Sequence, residues 1–193
     1  MKNYNSTVLQ GIVFITVLLV TTFYLDSKSK DNKEVTCQRN DLEFDKRRSE
    51  EAAQFLLNAA EINLEGIRLG KLAQQKGKIN NIKELGRMME SEHIKSTTVL
   101  NALVKTKNIT LPTSQTESGQ NAFKKLSYKS GIDFDKAYAD MMVSEHKDAI
   151  SLFETASMEC IDPEIRTWAS ESLPALRINL EHSIISQKKC NKM

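Results

Sequence analysis

From Phe55 onward the chain returns to an apolar or small residue every third or fourth position. Phe55, Ala59, Ile62, Gly66, Leu69 and Ala73 follow at steps of 4, 3, 4, 3 and 4, which trace one face of an α-helix. Ser49 is placed to cap this helix and Gly77 to stop it. A second stripe runs through Ile82, Leu85, Met89, His93, Ser96, Leu100 and Leu103. Its helix opens with Asn81 and Glu84 at a capping-box spacing and ends near Asn108. After "NITLPT", Ser114 and Glu117 repeat that spacing and predict a short helix to about Tyr128, stopped by Gly131. A third long helix starts near Asp133 and carries Tyr138, Met142, His146, Ala149 and Phe153. The fourth has Asp162 as its cap and Pro163 in its first position, and runs to about Lys189. Pro174 lies inside it, where a bend is expected because proline cannot donate to the Ser170 carbonyl. No strand pattern competes.

Four amphipathic helices of roughly 25 residues each predict an all-α four-helix bundle. The first and third connections are short, so the helices they join are antiparallel neighbours. The link between the second and third long helices is roughly 25 residues, enough to cross the length of a bundle with the short helix inside it.

Upstream the pattern changes. Val8 to Leu25 is an uncharged run of 18 residues, at the lower limit for a membrane-spanning helix. No small-x-small site follows it, and Cys37 stands too far off for a lipoprotein, so an uncleaved anchor is favoured over a cleaved signal. Either way the helical domain is expected in the cell envelope: in the periplasm if anchored, or secreted if the segment is cleaved. The organisation is then an anchor or signal over residues 1–25, a charged tether over 26–48 and the bundle over 49–190.

Composition agrees and removes some functions. The 193 residues carry 27 basic and 25 acidic side chains, for a net charge of +2, so nothing marks a nucleic-acid surface. There is no nucleophile–base constellation, glycine-rich phosphate loop or Cys-x-x-Cys pair. The sequence therefore names no reaction and no cofactor; the partners it indicates are the membrane, through the N-terminal segment, and a divalent transition metal as a candidate.

What chemistry there is centres on histidine. "MMESEH" ends at His93 and "MMVSEH" at His146, and both histidines sit mid-helix on an apolar stripe. The third, His182, has Ala175, Ile178 and Ile185 on its face, while the main stripe of its helix passes through Leu176, Asn179 and Ser183. Glu65 lies beside the stripe of the first helix. Glu65, His93, His146 and Asn179 or His182 can thus meet at mid-height, where bundles build metal sites. Imidazole with carboxylate suits zinc, copper, iron or manganese. The competing reading is a structural polar layer, with each histidine bonded to a neighbour. Glu90 and His93 make a single Glu-x-x-His pair. Val143 and Asn179 stand where a second glutamate would be needed, so any site is expected to hold one ion and not an oxo-bridged pair.

The stretch "GIDFDKAYADMMVSEHKDAISLFETAS" resembles the bacterial family grouped as domain of unknown function 4142, through Phe134, Asp135, Tyr138, Met142, Val143, Glu145, His146, Phe153 and Glu154. Met89, Glu92 and His93 resemble an earlier family motif, "LGKLAQQKG" the first helix and "LPAL" the last. The likeness covers roughly Ser49 to Ser186. It implies an exported protein with a ferritin-like bundle, and envelope stress or metal handling as roles in view. Two positions depart: Gly66 stands where the family often has glutamate, and Asn179 where it usually has histidine. The crossover the resemblance implies would bring Cys160 toward the segment carrying Cys37. Any intramolecular disulfide is then expected there, and not between Cys160 and Cys190 at opposite ends of one helix.

Overall fold

The computed structural model describes residues 6–193, with side chains from residue 38. All regular structure in it is helical: α1 (Ser6–Lys76), α2 (Asn80–Lys105), α3 (Glu117–Ser127), α4 (Gly131–Glu159) and α5 (Pro163–Asn191). It divides into two compact units, Met1–Arg47 and Arg48–Met193. The boundary falls within α1, so Ser49 does not cap a helix as expected. Helical backbone runs through it because no glycine or proline interrupts the chain between Gly11 and Gly66. The tether read over residues 26–48 is therefore helical too. The apolar run Val8 to Leu25 lies outside the residues whose side chains are described. Among the described residues, no helix is long and apolar enough to cross a membrane.

Within the second unit the apolar stripes gather into two clusters. The first takes Phe55, Leu56 and Ala59 from α1, Leu100 and Val104 from α2, Phe153 from α4, and Ile165 and Trp168 from α5. At its centre the Phe55 ring meets Phe153 edge-on at 5.0 Å, and Trp168 lies 5.3 Å from Phe153. The second takes Leu69 and Ala73 from α1, Ile82 and Met89 from α2, Leu126 from α3, Phe134, Tyr138 and Met142 from α4, and Cys190 from α5. The two clusters give the directions. α1 and α5 run from the first to the second, whereas α2 and α4 run from the second to the first. α2 and α4 therefore point the same way, and the link carrying α3 returns the chain along the bundle. Contacts at the ends agree: Lys107 after α2 pairs with Asp162 before α5 at 2.5 Å, and Arg48 reaches the Glu159 carbonyl at the end of α4.

The helix ends are set partly by local chemistry. Asp162 caps α5 as its sequence suggests, accepting the Glu164 and Ile165 N–H groups at 2.9 and 3.1 Å. Thr116, and not Ser114, caps α3. The Asn81–Glu84 box expected at α2 does not form: the helix starts at Asn80 with no side-chain cap. Instead Asp135, fully buried on α4, accepts the backbone N–H groups of Lys78 and Ile79 at 2.9 and 3.0 Å. A carboxylate from across the bundle thus holds the α1–α2 turn. Pro174 is exposed, and α5 continues through it.

α1 and α2 meet closely. A Cβ on Gly70 would lie 2.7 Å from the Gly86 carbonyl oxygen, and a Cβ on Gly86 would lie 2.7 Å from that of Gly70. Only two glycines allow this backbone approach. One turn earlier on α1, Gly66 lies directly against the ring of His93. Cys160 packs on the first cluster and Cys190 is buried in the second, both as free thiols. Cys37 lies outside the residues whose side chains are described.

Candidate metal centre

Between the two clusters lies a polar layer. His93 on α2 and His146 on α4 are both buried, with ring centroids 5.9 Å apart. Each ring is fixed through Nδ1. His146 Nδ1 lies 2.8 Å from the Met142 carbonyl oxygen, which can only accept, so Nδ1 carries the proton. His93 Nδ1 lies 3.0 Å from Asn63 Oδ1 on α1. The Asn63 amide nitrogen donates to Ser96 Oγ at 3.0 Å, which leaves its oxygen to accept from His93. Both imidazoles are therefore Nδ1–H tautomers with a lone pair on Nε2. Among the described residues His146 Nε2, which is buried, finds no hydrogen-bond partner.

The two rings share a cavity of about 190 Å³ with Glu65, Glu145 and Asp148, and with an apolar rim that includes Ile62, Ala149 and Leu152. Glu65, His93 and His146 are thus brought together. His182 is not: it is exposed on α5, whose inward stripe runs through Leu176, Asn179, Ser183, Ser186 and Cys190. Asn179 is buried and faces the opposite side of His93, in a second cavity between α2 and α5. Glu90 does not line this cavity: it is half-buried against α1, where it accepts from Gln74 Nε2 at 2.6 Å and pairs with Lys71. Among the described residues no three His, Cys, Asp or Glu side chains converge closely enough to hold an ion as they stand.

Sequence reasoning missed Glu145, Asn63 and the part played by Gly66. Glu145 enters the sequence reading only within the family motif, yet it lies seven residues after Tyr138 and four before Ala149, at the spacing of the buried stripe.

Burial sets the charge states. It pushes the His93 pKa down to about 3, helped by His146, and lowers that of His146 against the opposing pull of the Met142 carbonyl. It pushes Glu145 up to about 8, with the charges of Glu65 and Asp148 adding to the effect, and raises Glu65, which also feels Glu61. Two opposed pH effects follow for the metal-free protein. His93 titrates near 6.5 unfolded and about 3 folded, so its contribution is present above pH 6.5 and drains away as the pH falls toward 3. Glu145 titrates near 4.5 unfolded and about 8 folded, so its contribution is present below pH 4.5 and is lost as the pH rises through 8. Maximal stability is expected between pH 4.5 and 6.5, where the two slopes cancel. Urea midpoints measured from acid to mildly alkaline pH check this, and a maximum at or above pH 8 would contradict it.

The sequence pattern of the family described as Domain of unknown function (DUF4142) matches residues 39–183. The fold is similar to the crystal structure of a DUF305 fragment from Deinococcus radiodurans. The TM-score is 0.62 at 10% sequence identity, over 74% of this chain and 97% of that one. At that identity the likeness shows the fold alone. No curated protein matches the sequence.

Proposed function

We propose that this chain, which belongs to the DUF4142 family, is a ferritin-like bundle that holds one divalent transition ion between α2 and α4. The observation that carries this reading is His146 Nε2, buried without a partner among the described residues while Nδ1 is pinned to a backbone carbonyl. Histidines that ligate metals are oriented in this way, the second nitrogen donating to a carbonyl or carboxylate while the first is kept bare. A buried ring nitrogen without a protein partner forgoes about 1–3 kcal/mol, which a ligand would recover. His93 supplies the second imidazole. Glu65 or Glu145 turning into the cavity supplies the carboxylate, since the side chains do not converge as placed. When bound, the ion would act as a Lewis acid or a redox centre. The residues around it keep both imidazoles neutral.

The shared direction of α2 and α4, with α3 in the returning link, supports the ferritin-like crossover. The apolar run Val8 to Leu25 supports an anchor that leaves the bundle in the periplasm, where metal handling or envelope stress is the matching role. If the anchor reading holds, alkaline carbonate leaves the full chain in the membrane pellet; release into the supernatant contradicts it.

Elemental analysis and calorimetric titration of protein purified without chelator test the metal reading. One divalent ion per chain is expected, lost in His146→Ala and retained in His182→Ala. Two irons per chain would refute the mononuclear site. No ion at all would leave the two histidines as a structural polar layer.

A further inference from the structure

The cavity beside the histidines has carboxylates and no matching cations. Glu65, Glu145 and Asp148 line it, and Glu61 lies one turn before Glu65 on α1. Among the described residues none of these four carboxylates takes part in an ion pair or a side-chain hydrogen bond, although Lys71, Lys95, Lys107 and Arg177 all find acidic partners elsewhere. A second cavity, of about 170 Å³, lies behind Glu65, lined by Glu61, Ile62, Gln115 and Thr116. Glu65 and Ile62 belong to both cavities, so Glu65 forms a common wall. The outer space is walled on one side by the segment ahead of α3, which Arg68 holds by bonding to Gln115 and stacking on Phe123 of α3 at 3.7 Å. Gly119 in the first turn of α3 bears no side chain against Glu65 Oε1.

The α2–α5 side of His93 differs. Its cavity of about 260 Å³ holds Lys95, which pairs with Glu92 at 2.7 Å, and one further carboxylate, Glu171, among groups such as Ser96, Trp168 and Asn179. It carries one carboxylate beyond that ion pair, against the four on the α1 side, and offers a cation less attraction.

We propose that a divalent cation reaches the histidines by the α1 side, passing from the cavity at Glu61 to Glu65 and then between Glu145 and Asp148 to the bare Nε2 of His146. This rests on the metal reading above and adds the route and the carboxylates that serve it. Glu61 and Asp148 supply the steering charge, since burial holds Glu145 protonated near neutral pH; charge of one sign in a low-dielectric cleft raises the local concentration of counter-ions and speeds their association. The buried, unpartnered His146 nitrogen gives the route an end point. Glu61 and Asp148 act as guides along it, and the ligands lie deeper.

Stopped-flow mixing of the full chain with Zn²⁺ and a chelating indicator tests the route. In Glu61→Gln/Asp148→Asn the association rate constant is expected to fall about tenfold at low salt and to lose most of its salt dependence. Stoichiometry should stay at one, with dissociation little changed. Glu171→Gln, on the α2–α5 side, should leave the rate as it was. An unchanged rate in the double variant, with wild-type binding intact and His146→Ala inactive, overturns the route alone. A slower rate in Glu171→Gln instead places the way in on the other face. Absence of binding by the wild-type chain overturns both the route and the reading it rests on.

Discussion

Gly66→Ala is expected to lower the folding stability of the bundle by about 2 to 3 kcal/mol. In most helix interiors this substitution would be favourable by about 1 kcal/mol, because alanine is the better helix former. Here the added methyl would overlap the His93 ring. The ring cannot simply withdraw, since Nδ1 is held by Asn63 and His146 packs behind it at 5.9 Å between centroids. The overlap therefore decides the sign. A urea midpoint at or above that of the wild type would show that the ring has room the structure does not give it. The same variant should lose ion binding in proportion to the displacement of His93.

Asp135→Ala should cost about 3 kcal/mol. The carboxylate is fully buried and accepts two backbone N–H groups at the start of α2, where no local side chain caps the helix. Removing it leaves both donors short of a partner, at about 1–3 kcal/mol for each one that water cannot reach. Lys78 is exposed and its N–H can be partly rehydrated, which keeps the sum near the lower end. Asp135→Asn should recover less than half of the loss, because one amide position presents a donor to a donor. Thermal and urea unfolding measure both variants. A loss below about 1 kcal/mol in Asp135→Ala would mean that the turn holds itself.

These two residues also mark where the sequence stops being legible. The stripes of α2, α4 and α5 could be read directly, since a buried helix face repeats at three and four residues whatever packs on it. Asp162 could be read as a cap because its partners are two and three residues away. Asp135 could not, because its partners are 56 and 57 residues away and only the fold brings them together. The upstream end of α1 was misplaced at Ser49, since a polar helix without an apolar face looks like a tether. At the site, His93 and His146 showed themselves by standing on apolar stripes. His182 lay near such a stripe but on its outer side. Glu145 was legible by its spacing, but the sequence marks it only as part of a family motif and not as a site residue. Gly66 read as a missing glutamate; the structure shows that it makes room for the His93 ring, a contact no single-helix pattern can reveal.

The central claim is that His93 and His146 ligate one ion through Nε2. X-ray absorption of the zinc-loaded chain tests this most directly, because imidazole rings give outer-shell scattering that carboxylates and water do not. The account predicts two imidazoles in a shell of nitrogen and oxygen at about 2.0–2.1 Å, reduced to one in His146→Ala if any zinc remains. A zinc site without imidazole scattering, or one unchanged by that substitution, would contradict it.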